Sequence, residues 1–146
     1  MVRINIISPL HLADQHLIAE YNEILMLFGY VRKHPHTHFG QLSKIPENYR
    51  LGQGHILFFK NKLKYLKKRF ELIKKEMRKR GFSCLKEINF ESIDMRLLND
   101  WSPSKTDKEI IKKRLIDKIN LKPNYYRYCR EYKSKEFLIE KIKNAE

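Results

Sequence analysis

Apolar residues recur at helical spacing in three long stretches of the chain. In the first, Leu10, Leu17, Tyr21, Ile24, Leu25 and Phe28 fall on one stripe of a helix wound at 3.6 residues per turn, the expected core face. Ser8-Pro9 in front of it reads as the helix start. Serine is a preferred N-cap, and proline at the first helical position gives up an N–H that would have no partner anyway. His16, Ala19, Glu23 and Met26 fall on the opposite side, so a histidine and a carboxylate two turns apart point away from the core together. Polar residues on a solvent face are the ordinary case, and spacing alone does not make them a site.

The second stripe runs Phe59, Leu63, Leu66, Phe70, Ile73, Met77 and ends at Gly81. Gly52-Gln53-Gly54 opens this helix. No strand precedes the pair and the third glycine is absent, so it is not a dinucleotide fingerprint. Two glycines there permit close approach of a phosphate or of another helix, with packing the better reading. The third stripe, Ile110, Ile111, Leu115 and Ile119, is capped by Thr106 or Asp107 and stopped by Pro123. Met1 to Ile7 alternates like a strand or an extended arm. Pro35 to Gly52 reads as loop, and Ser83 to Ser104 as loop with one helical turn and Trp101 as its core anchor. Phe137, Leu138 and Ile142 mark an extra amphipathic helix. The expected fold is all-α: one domain over residues 1–146, a bundle of about three main helices with long loops, and a C-terminal extension from about residue 130.

Charge changes the picture most. The 146 residues carry a net +14, with 42% hydrophobic and 12% aromatic content, which is a folded chain with a phosphate-binding footprint. No apolar run approaches the ~18 residues of a membrane span, and the first ten residues lack the basic-then-apolar order of a signal peptide. Residues 60–80 hold eleven Lys/Arg against Glu71 and Glu76, a net +9. A helix that dense in one sign repels itself and favours a polyanion partner. Arg114 and Lys118, four apart, share an exposed face suited to straddling phosphates. Tyr125-Tyr126-Arg127-Tyr128 is an aromatic and basic cluster that either packs on the core or stacks on bases. His34, His36 and His38 alternate in a loop with no carboxylate or cysteine partner nearby, so no metal site is expected. Cys84 and Cys129 have no redox or metal spacing and read as free thiols of a reducing, cytoplasmic setting.

Met1-Val-Arg-Ile-Asn5, Leu12-Ala-Asp-Gln-His-Leu17, Ala19-Glu-Tyr21, Glu23, Phe28-Gly29 and Val31-Arg-Lys-His34 resemble, without a gap, the N-terminal third of the phage pyrimidine-dimer DNA glycosylase/AP lyase family, the UV-repair endonuclease V. The likeness resumes at Leu51-Gly-Gln-Gly-His55, Phe58-Phe59, Lys68-Arg69, Glu71-Leu-Ile73 and Lys79-Arg-Gly-Phe82. It ends at Arg114-Leu115, Asp117-Lys-Ile119 and Pro123-Asn-Tyr-Tyr-Arg-Tyr128. The resemblance implies an N-glycosylase and strand-cleaving lyase on UV dimers in double-stranded DNA, without metal or cofactor. It implies the α-amine of Val2, exposed on removal of Met1, as nucleophile and Glu23 as the carboxylate beside it. Arg3, Gln15 and His16 would position sugar and phosphate, and Lys33, Arg114, Lys118 and the Tyr125–Tyr128 tail would contact DNA. The protein is expected to act as a monomer.

Three departures bear on this. The family's threonine after the initiator is Val2, and two family arginines on the first helix are Asn22 and Met26, near Glu23 on the DNA-facing side. The catalytic pair is thus matched better than the lesion-reading residues. Two other readings stay open: the same lyase chemistry on another damaged base or an abasic site, and a non-enzymatic DNA-binding relative.

Overall fold

The structure is a computed structural model that describes residues 4–34 and 42–146. Its regular elements are helical apart from one hairpin. They run α1 (Asp14–Lys33), α2 (His55–Phe59), α3 (Leu63–Lys79), α4 (Lys105–Leu121), β1 (Arg127–Tyr128), β2 (Glu131–Tyr132) and α5 (Lys135–Lys143). The strands pair antiparallel, Arg127 with Tyr132 and Tyr128 with Glu131. α1 packs chiefly on α3, and α4 on α5. The all-α expectation holds, and so does the C-terminal helix, which buries Leu138 and Ile142.

Long-range hydrogen bonds shift the start of α1. Pro9–His11 forms its own 3-10 turn, Leu12 and Ala13 are extended, and α1 begins at Asp14 with no side-chain cap. Ser8 and Pro9 therefore head a separate 3-10 turn and not α1, and Ser8 makes no side-chain cap hydrogen bond. The cause is Arg80, whose guanidinium donates to the carbonyls of Pro9, Leu10 and Leu12 and to Asp14. A continuous helix would take the carbonyls of this stretch for its own ladder. Leu10 is consequently 43% exposed, and the core stripe is Leu17, Tyr21, Ile24, Leu27, Phe28 and Val31.

The second stripe is two helices. α2 ends at Phe59, and Lys62 leaves the helical path to bridge Leu98 while its ammonium caps the carbonyl of Phe58 at 2.9 Å. Gly52 and Gly54 serve the turn before α2, with φ of +72° and +88°, a left-handed backbone that glycine adopts at low cost. α4 is capped by Ser104, three residues ahead of Asp107, in a reciprocal capping box, displacing the expected Thr106 or Asp107 cap. Met95–Leu97 is the single helical turn expected in the long loop. Trp101 packs against Tyr49, Phe58, Phe59 and Tyr65 as its anchor.

The charge of residues 60–80 is not all surface. Arg69, Lys74 and Arg80 are buried. Arg69 is joined to Glu20 by two hydrogen bonds of 2.6 and 3.1 Å, Lys74 meets Glu87 at 2.8 Å, and Arg80 meets Asp14 at 2.9 Å and Glu76 at 3.3 Å. Arg69 and Arg80 thus answer buried carboxylates, and Lys74 answers the exposed Glu87. The self-repulsion inferred from the count is overstated by that much.

Residues 4–7 are a pinned arm and not a strand, and all four are buried. Ile4 N–H donates to His55 Nε2 at 3.0 Å, and the Tyr49 hydroxyl donates to Ile4 O at 3.3 Å. Asn5 N–H donates to Glu20 Oε1 at 3.0 Å, and Arg69 donates to Ile7 O. Because His55 Nε2 accepts, its proton sits on Nδ1, which donates to Arg50 O at 2.8 Å.

Candidate active site

One end of α1 meets the C-terminal half of α4 and the segment leading into β1. Gln15, in the first turn of α1, donates from Nε2 to Tyr125 O and accepts at Oε1 from Arg127 N–H, both at 2.9 Å. This amide does what a neighbouring strand would do and fixes the Tyr125–Arg127 backbone against α1. Asp14 holds the other side of the hairpin. Its carboxylate accepts from Cys129 and Arg130 N–H at 3.1 and 2.7 Å, besides Arg80. Cys129 and Arg130 have φ of +50° and +66°, so two consecutive amides converge on one carboxylate.

His16 lies beneath this segment, its ring centroid 4.7 Å from that of Tyr126. Burial, aided by the Lys118 charge, lowers its pKa to about 4, so the imidazole is neutral at pH 7. Nδ1 is buried and has no hydrogen-bond partner among the described residues. An orphaned lone pair costs less than an orphaned N–H, which places the proton on Nε2.

Gln15 and His16 line a cavity of about 320 Å³ together with Asn5, Ala19, Ile111, Arg114, Leu115, Lys118, Leu121, Lys122, Tyr125 and Tyr126. A shallower groove beside it is lined by Gln15, Ile18, Ala19, Asn22, Glu23, Met26 and Tyr125. Gln15, Ala19 and Tyr125 belong to both, so the Glu23 groove and the His16 cavity share a wall. The structure thereby brings together Gln15, His16, Asn22, Glu23, Met26, Arg114, Lys118, Tyr125 and Tyr126.

It does not bring in the rest. Lys33 is exposed at the far end of α1, 18 residues from Gln15 and so about 27 Å along the axis. The Arg127 guanidinium turns to the carbonyls of Asn124 and Tyr126 and lies 5.4 Å from the Tyr132 ring centroid. Tyr128 is a core residue: its hydroxyl donates to Leu10 O at 2.8 Å and Arg80 stacks 4.2 Å from its ring centroid. The aromatic cluster therefore divides, Tyr126 and Tyr128 inward and Tyr125 56% exposed. Val2, Arg3, His36 and His38 lie outside the described residues. Among the described residues no three histidine, cysteine or carboxylate groups gather as a metal site, and both Cys84 and Cys129 are free.

Asn5, Leu121 and Lys122 in the cavity wall, and Asp14 as the clamp of the hairpin, were not among the expected site residues. Asp14 alone carried a weak sign, an acidic residue in the first turn of a helix.

A family model described as pyrimidine dimer DNA glycosylase matches residues 1–89. The chain belongs to that family. Membership places it among DNA repair glycosylases, with DNA as substrate. The matched span of this glycosylase runs from the pinned arm through α3 and contains Gln15, His16 and Glu23. The opposite wall, from Arg114 to Tyr126, lies beyond the match. No helix among its described residues is long and apolar enough to cross a membrane.

Proposed function

We propose that the glycosylase excises UV pyrimidine dimers by attack of the Val2 α-amine, freed by removal of Met1, and then cleaves the strand as an AP lyase. An α-amine titrates near ~8 and lysine near ~10.4, so the chain terminus offers far more free base at pH 7. Attack of the neutral amine on the sugar C1′ forms a C1′–N bond as the bond to the base breaks, the base leaving with that electron pair and taking the amine's proton. The nitrogen lone pair then opens the C1′–O4′ bond, O4′ takes a proton, and an iminium is left at C1′. That cation acidifies the C2′ proton, whose loss expels the 3′ phosphate by β-elimination. Glu23 stabilises the iminium and moves protons. Neutral His16 donates a hydrogen bond from Nε2, while Arg114 and Lys118 hold phosphates.

The observation that carries this reading is the wall shared by the Glu23 groove and the His16 cavity, next to the pinned Asn5. Val2 stands two positions before Ile4, so covalent reach alone keeps its nitrogen within about 7 Å of the Ile4 nitrogen. Retained Met1 would displace the amine by about 3.5 Å, more than a near-attack geometry tolerates.

Borohydride reduction in the presence of abasic-site duplex should trap a covalent adduct at the Val2 amine, located by mass spectrometry. An adduct on a lysine would move the nucleophile. No adduct from a protein shown to start at Val2 would favour a DNA-binding relative over an enzyme. Among the described residues no cation lines the Glu23 groove, where Asn22 and Met26 stand. This supports a second reading, lyase action on abasic sites, and comparing dimer and abasic duplexes decides between the two.

A further inference from the structure

Leu121 is the last residue of α4 and is 76% exposed, although Ile111, Leu115 and Ile119 of the same helix are buried to 3% or less. Two residues past Ile119, it is turned about 200° away from the core stripe. It lines the cavity together with Arg114, Lys118, Lys122 and Tyr125. Lys122 Nζ lies 5.4 Å from the Tyr125 ring centroid. An isolated leucine on a surface needs no explanation, but two exposed large apolar groups, Leu121 and Tyr125, lining one cavity with three cations are a different matter.

The cations select a polyanion, and a duplex offers apolar surface mainly on the faces of its stacked bases. An apolar side chain reaches those faces by entering a base step and unstacking it. We infer that Leu121 is the wedge that enters the base stack at the lesion, with Tyr125 lining the same opening. The inference rests on the DNA-cleaving reading above and assigns a specificity-determining residue to it. An intact step costs a few kcal/mol to open, and a damaged or abasic one less, so a wedge favours lesions over undamaged duplex.

The test uses the full chain with Leu121→Ala and Leu121→Met. A duplex carrying a tetrahydrofuran abasic analogue beside 2-aminopurine reports unstacking as a fluorescence rise on binding. The parent protein and Leu121→Met should give the rise, and Leu121→Ala should lose at least two thirds of it at saturating protein. In single-turnover cleavage, the ratio of rates on duplex and single-stranded abasic DNA should fall about tenfold in Leu121→Ala, because a single strand has no duplex stack to open. An unchanged ratio, with either equal losses or none, together with a full fluorescence rise, overturns the wedge. If the parent protein cuts neither substrate, the lyase reading fails and the fluorescence arm alone decides the wedge.

Discussion

Glu20 and Arg69 face one another between α1 and α3, with Nε to Oε2 at 2.6 Å and side chains 0% and 3% exposed. Glu20 also accepts from Asn5 N–H, and Arg69 donates to Ile7 O, so this ion pair seats the arm that leads to the chain start. Removing one partner strands a buried charge, at a cost of about 3–5 kcal/mol. Glu20→Ala should therefore lower the unfolding free energy in urea by that amount, far more than loss of the exposed Lys68–Asp100 pair.

His16 makes stability depend on pH with a definite sign. Its folded pKa is about 4, below the usual 6.5, so between those values the unfolded chain takes a proton that the folded chain refuses. Stability contributed by the neutral ring is complete above about pH 6.5 and is lost as pH falls toward 4. The difference is on the order of 3 kcal/mol. Denaturant melts at pH 7 and 4.5 should show that loss, and His16→Asn should remove most of it.

Gln15 should act through the backbone it holds. Gln15→Leu keeps the volume and removes both hydrogen bonds to Tyr125 and Arg127, costing about 1–2 kcal/mol in this partly exposed setting. Gln15→Glu keeps the acceptor for Arg127 N–H and sets a carboxylate against Tyr125 O. Both should weaken binding to abasic duplex; equal affinity to the parent in both would mean that the register of this segment does not matter to DNA.

Glu23→Gln keeps shape and removes charge. Cleavage of abasic duplex should disappear while affinity, measured by anisotropy, stays within a few fold. Normal cutting would reduce Glu23 to a solvated helix residue.

Affinity for duplex should fall steeply with salt, log K against log[salt] losing about 0.9 in slope for each phosphate contact removed. Lys118→Gln and Arg114→Gln should each lower the slope by about that much. A slope unchanged in both would place the phosphate contacts on other cations.

The sequence revealed what depends on local period. The Leu63 to Met77 stripe and the Gly81 stop were legible because 3.6-residue spacing and a left-handed terminus are local properties. The start of α1 was not, because Arg80, more than 60 residues away, takes the carbonyls that a helix beginning at Pro9 would use. Buried cations are indistinguishable in sequence from surface ones: Arg69 and Lys68 are neighbours, yet one is 3% exposed and the other lies on the surface. His16 was placed on the outward face correctly, but Tyr126 arrives from 110 residues later and covers it.

The pinned arm also sets an order of events in synthesis. Ile4 to Ile7 find their partners at Glu20, Tyr49, His55 and Arg69, the last of these 62 residues downstream. On the ribosome the arm emerges ahead of its socket, which is complete only once α3 has cleared the exit tunnel. Throughout that interval Ile4, Ile6 and Ile7 have no finished core to enter, so the arm is the last piece of this half of the fold to order.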